Sequence, residues 1–240
     1  MALSWSMDKI GTICRNAEDL AIVFDIINGQ DGFDQTLFDV PFNYQPEIDF
    51  TKLKIGYLKS DFDKSYDFHS QDSIALEKLK ELGAELVPIE LPSLPVNDLV
   101  IILSAEAGAA FDDLTRSNGD TLLVRQIKDA WPNVIRVSRF IPAVEYINAN
   151  RIRYLLIQQM QDIMDNIDLY LAPSWEGDNL LLTNLTGHPC VVSPNGFSED
   201  GTPTSITFIG RLFDEGRLIA FAKKYQDATD FHKKHPPIFK

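Results

Sequence analysis

Asp168-Leu-Tyr-Leu-Ala-Pro-Ser-Trp-Glu-Gly-Asp-Asn-Leu-Leu-Leu-Thr-Asn-Leu-Thr-Gly-His-Pro-Cys-Val-Val-Ser-Pro-Asn-Gly-Phe-Ser-Glu-Asp-Gly-Thr-Pro-Thr-Ser-Ile-Thr-Phe-Ile-Gly210 is the stretch that decides how this chain is read. It holds three short apolar runs. Leu169–Ala172 stops at Pro173, Cys190–Val192 stops at Ser193-Pro194, and Ile206–Ile209 stops at Gly210, so each run reads as a strand bounded by residues that end strands. Asp200-Gly201 is a hairpin signal, which makes the last two strands antiparallel neighbours. The loops between them are dense in Gly, Pro, Asn and Thr. Polar loops held by rigid strands are where an α/β protein places ligand contacts, and this stretch is the candidate pocket wall.

Outward from it, Pro142 suits the first turn of a long helix that runs to about Asn166 and feeds the first strand. Arg151 and Arg153 fall on its polar side, as a surface ion pair or a clamp for a substrate carboxylate. A helix over Val96–Arg116 carries Ala105, Ala107, Gly108, Ala109 and Ala110, small enough for another element to approach closely, and residues 96–166 are mainly helical. Asp112 and Asp113 read as solvated. Further back, a strand Lys54–Leu58, an amphipathic helix Ser70–Leu82 stopped by Gly83 and a strand Leu86–Leu91 form a βαβ unit with a parallel pair. That helix places Ile74, Leu76, Leu79 and Leu82 inward, and Pro88 suits a sheet edge. Asn16 caps a mostly buried helix from Ala17. At the other end, Phe213-Asp214-Glu215 opens a last helix that His235-Pro236-Pro237 closes. The sum is α/β: one domain over residues 1–240, a mixed sheet covered by helices.

Composition narrows the function classes. The chain has 240 residues, 45% of them hydrophobic, 24% charged, with a formal net charge of -13. That is a globular composition, and its acidity excludes nucleic acid and anionic membrane as unassisted partners, because both need clustered Lys and Arg. No apolar run is long enough to span a bilayer, so the expected location is the cytoplasm. The two cysteines, Cys14 and Cys190, lack metal-ligand spacing, and Cys190 reads as a small buried apolar side chain.

Three segments carry a resemblance. Thr183-Asn-Leu-Thr-Gly-His-Pro189, Pro194-Asn-Gly-Phe197, Gly201-Thr-Pro203 and Phe208-Ile-Gly-Arg211 look like the C-terminal part of amidase-signature hydrolases. Leu3-Ser-Trp-Ser-Met-Asp-Lys-Ile-Gly11 with Arg15-Asn-Ala-Glu-Asp19 is similar to the segment after that family's nucleophile region, with Thr12 where proline is common. Tyr225–Pro237 resembles its closing helix. The resemblance implies hydrolysis of a carbon–nitrogen amide bond through an acyl-enzyme on a serine, assisted by a second serine on a cis peptide and by a lysine, without metal or organic cofactor. This chain has no Gly-Gly and no Ser-Ser dipeptide, so it reads as the C-terminal portion of such an amidase, inactive alone, with no catalytic residue of its own. The full-length protein would take a small-molecule amide. A protein like the hydrolytic subunit of an amidotransferase and a non-catalytic scaffold that keeps the fold are the alternatives.

Within the pocket wall, the resemblance makes Trp175, Asp178, Asn179, Asn184 and Thr186 the substrate-binding candidates. Trp175 would cover the apolar part of the substrate while Asp178 or Asn179 meets its amide. Other roles stay open: Asp178 can instead cap a short helix over 180–184, and Asn184 and Thr186 can satisfy the backbone of the Gly187-His188-Pro189 turn. His188 is the one histidine to test as an acid or base, against a structural role. A sheet cut from a larger one should expose an apolar face or edge, so self-association is expected.

Overall fold

The computed structural model describes residues 2–236, so Pro237 of the closing segment lies outside the described residues. In chain order the elements are α1 (Ala17–Ile27), β1 (Lys54–Leu58), α2 (Lys59–Phe62), α3 (His69–Glu81) and β2 (Glu85–Ile89). After a 3-10 turn at Val96–Val100 come α4 (Ile101–Ala110), α5 (Asp112–Arg116), α6 (Trp131–Ser138) and α7 (Ala143–Met164). Then follow β3 (Leu169–Pro173), α8 (Asn179–Thr186), β4 (Cys190–Phe197), β5 (Pro203–Gly210) and α9 (Glu215–Thr229). The chain divides into two compact units.

The larger unit comprises residues 10–91, 161–183 and 188 onward, and holds the whole sheet. Strand order is β2-β1-β3-β5-β4, with β1 parallel to β2 and to β3, and β5 antiparallel to β3 and to β4. The mixed α/β sheet is therefore the one the strand signals predict, and Pro88 does fall on an edge strand. One apolar core packs Ile55, Leu79, Leu171, Phe208 and Tyr225 among its fully buried members. Phe221 stacks on Phe50 at 4.7 Å between centroids and meets Phe208 edge-on at 4.9 Å. Truncating such a side chain to alanine costs about 3–5 kcal/mol.

Two helices of this unit differ from their sequence reading. Asn16 caps α1 as expected, its side chain accepting the Asp19 N–H. Only Ala17 and Ala21 are buried, however, and Ile22, Val23, Ile26 and Ile27 face outward. The helix packs inward through Ala17 and Ala21 with Leu20 and Phe24 half-buried against the core, and helical periodicity shows which residues share a face without showing how many faces have neighbours. In α3, Ile74 is exposed while Asp72 is buried beside Ala75 and Leu79.

The smaller unit comprises the N-terminal segment to Lys9, residues 92–160 and 184–187. It is helical. Where α4 meets α6, a Cβ on Gly108 would stand 2.9 Å from Ser138 Cβ, so the small residues of α4 do admit a neighbouring helix. Asp112 pairs with both Arg116 and Arg139. Among the described residues no helix is long and apolar enough to cross a membrane.

Candidate functional site

The parallel strands β1 and β3 are neighbours, so both run out at the same edge of the larger unit's sheet, where open α/β sheets place ligand loops. β1 leads into α2 and β3 into the loop Ser174–Asp178. The two are clamped together. Lys64 Nζ lies 2.9 Å from Asp61 Oδ1 and 3.0 Å from Glu176 Oε1, and those two bonds hold the ammonium above its usual pKa range. Gly177 sits at φ +70°, close against the Asp61 carboxylate. On this clamped loop Trp175 is 75% exposed and Asp178 is exposed.

Behind the loop is a row of hydroxyls. Ser205 Oγ donates to Ser174 Oγ at 3.1 Å, and Ser174 Oγ lies 2.9 Å from Thr207 Oγ1. Asn179, the first residue of α8, turns the other way. It is 4% exposed, and its Oδ1 accepts a 2.7 Å bond from the Tyr170 hydroxyl, whose pKa burial drives well up. Asp178 stands at the cap position of α8, its carbonyl accepting the Leu182 N–H at 3.0 Å.

The amidase family profile matches residues 1–180. The chain belongs to the amidase family. It is 29% identical to a glutamyl-tRNA(Gln) amidotransferase subunit of Roseiflexus castenholzii and 27% identical to an amidase of Pseudomonas putida, in each case over 99% of this chain. It covers 57% and 56% of those two relatives, slightly more than half their length. The first alignment extends over 282 residues, more than this chain possesses, so that relative carries segments inside the matched region that this chain lacks. An amidase family protein from Bacillus anthracis superposes with a TM-score of 0.78 at 20% identity, over 98% of this chain and 51% of that one. The mixed α/β sheet is thus an amidase sheet.

Other candidates in this amidase chain are placed as follows. Asn184 and Thr186 lie on the last turn of α8, in the smaller unit, with Asn184 half-buried and Thr186 buried. Arg153 is held within that unit, donating to the Leu185 carbonyl, to Ser6 Oγ and to the Ser6 carbonyl at 2.5–2.8 Å, while Arg151 is exposed. The same unit buries Glu106, which accepts from Ser4 Oγ, from Ser6 Oγ at 2.6 Å and from the Tyr146 hydroxyl at 2.9 Å. Burial pushes the Glu106 carboxyl up, but these donors together take it below its ordinary value. His188 is buried. Cys190 is exposed, against the buried reading: it opens β4 on the face where Val192 is also exposed, and its apolar neighbours in sequence alternate to the other side. Sequence reading missed Asp61, Lys64 and Glu106, since charged residues far apart along the chain give no local sign that they meet.

Proposed function

We propose that this chain is the C-terminal portion of an amidase that hydrolyses the carbon–nitrogen bond of a small-molecule amide, and that it supplies one wall of the substrate pocket. The clamped loop Ser174–Asp178 carries the reading: it offers an apolar ring and a carboxylate at the strand ends, fixed by Lys64 before any ligand arrives. In this proposal Trp175 covers the apolar part of the amide, Asp178 bonds its polar end, and Asn184 and Thr186 shape the far end of α8. The nucleophile comes from elsewhere, through the serine, second serine and lysine implied by the family resemblance. Pre-positioned walls contribute orientation, which is a large part of any acyl-transfer rate, yet they cannot replace an attacking group.

The test compares amide hydrolysis by these 240 residues with that by a form preceded by a Gly/Ser-rich nucleophile region. Turnover by the longer form alone is the expected result. Turnover by the 240 residues, abolished by a serine-directed probe, would overturn it. A second reading, the role of an amidotransferase's hydrolytic subunit, is favoured by the Roseiflexus relative. Release of ammonia from glutamine that rises when partner proteins are added would select it.

We place the protein in the cytoplasm, consistent with two cysteines that form no disulfide among the described residues, and fractionation checks this. We also propose self-association along edge strand β4, where Cys190 and Val192 stand exposed. A concentration-independent monomer in sedimentation runs would count against that.

A further inference from the structure

The larger unit buries a second polar centre on the side of the sheet that faces α3 and α9. Asp72, 1% exposed, accepts the Tyr66 hydroxyl at 2.9 Å and Asn195 Nδ2 at 2.6 Å. Both donors are neutral. Of the groups acting on this carboxylate only His69 can carry positive charge, and its Nε2 lies 2.8 Å from the Phe62 carbonyl, committed there. From the loop side, Asp61 and Glu176 act on Tyr66 but are already paired with Lys64. Among the described residues no Lys or Arg pairs with Asp72. A buried carboxylate without a cationic partner is one of the costliest groups a fold can hold.

Four more oxygens at this centre lack any hydrogen-bond partner: Ser193 Oγ, Asn195 Oδ1, Thr204 Oγ1 and Tyr225 OH, on residues all at least nine-tenths buried. Their placement follows from the strand register. Ser193 lies opposite Ile206, and Thr204 is two residues from Ile206 on the same face. The irregularity between Pro194 and Gly196 brings Asn195 to the carboxylate, and Gly196 is needed there: its φ is +151°, and a Cβ would press Gln71 Cγ at 3.2 Å and lie 3.5 Å from Thr204 Oγ1. Tyr225 packs against Phe208 at 5.2 Å between centroids and is under the electrostatic influence of Asp72. Each orphaned buried polar atom is costly, and four of them on the strand face and helix beside one uncompensated negative charge call for a single remedy.

We infer that Asp72, Asn195, Ser193, Thr204 and Tyr225 form a site for a monovalent alkali cation, Na+ or K+. The donors are hard oxygens with one carboxylate. Imidazole and thiolate are missing from the set, which disfavours transition metals, and a single negative charge is poor compensation for Mg2+ or Ca2+. The cation would supply the countercharge Asp72 lacks and occupy the lone pairs the four oxygens leave open. Its role is structural: it ties α3, β4, β5 and α9 together and takes no part in the amide chemistry.

Thermal unfolding of the full-length protein at about pH 7.5 tests this, in choline chloride, NaCl and KCl at equal ionic strength. The expected result is a saturable rise in Tm of about 3 °C when Na+ or K+ at tenfold its Kd replaces choline. The better of the two identifies the cation, and the rise disappears in Asp72→Asn. Should that variant fail to fold, Thr204→Val gives a weaker, right-shifted response. A crystal soaked in Tl+ should show an anomalous peak among these oxygens. Identical melting in all three salts, or a Tl+ map with water-like density only, would overturn the inference and leave the orphaned atoms to bound water.

Discussion

A Cβ placed on Gly177 would stand 2.5 Å from Asp61 Oδ2, closer than any methyl group can approach a carboxylate oxygen. The loop that follows β3 and the helix that follows β1 are therefore fitted to each other at atomic contact, and Gly177→Ala has two penalties: a left-handed backbone at φ +70° and the clash. The variant is expected to lose about 1–3 kcal/mol in urea unfolding and to speed amide exchange across 174–178. Wild-type stability and exchange in Gly177→Ala would show that the clamp is slack.

Trp175 and Asn179 lie four residues apart, yet they should behave as opposites. Trp175→Ala removes an exposed side chain and leaves stability within about 0.5 kcal/mol, while raising KM for an amide in the full-length enzyme about tenfold. Asn179→Ala strands the buried Tyr170 hydroxyl and costs about 1–3 kcal/mol. A stable Asn179→Ala with a raised KM would move Asn179 back among the ligand contacts.

Asp72 and Glu106 give stability opposite dependences on pH. The Asp72 carboxyl is raised from 3.8 to about 6 by burial, so the folded state holds a proton that the unfolded state has released. Its contribution is complete below pH 3.8, is lost as pH rises through about 6, and amounts to on the order of 3 kcal/mol. The Glu106 carboxyl is lowered, so its contribution is present above 4.5 and is lost as pH falls through its folded value. Urea midpoints in choline buffers, between about pH 2.5 and 7, should show Asp72→Asn flattening the upper limb and Glu106→Gln the lower one. An unchanged profile in both variants would refute the assignment.

The sheet was legible because its strands announce themselves: Leu169–Pro173 is apolar at every position and is indeed central and wholly buried, and Asp200-Gly201 does turn β4 back on β5. The βαβ unit was legible from length and glycine placement. What escaped was the tertiary partnering of polar residues. Nothing local distinguishes Asp72, buried against Asn195 across 123 positions, from the solvated acids around it. Likewise α1 is apolar on nearly every side, and such a helix reads as core whether or not neighbours cover it. Among the proposed wall residues, Trp175 and Asp178 are exposed and Asn179 is buried, because a helix's first turn rotates successive residues by about 100°, a difference that composition does not show.

The hydroxyls of Ser205, Ser174 and Thr207 have one more property. Ser205 Oγ donates to Ser174 Oγ, while between Ser174 and Thr207 either oxygen can be the donor, so that one bond can carry its proton from either side. That pair of hydroxyls is amphoteric. It can offer a proton to a carbonyl oxygen or a lone pair to an N–H without moving a heavy atom, and an amide group presents both.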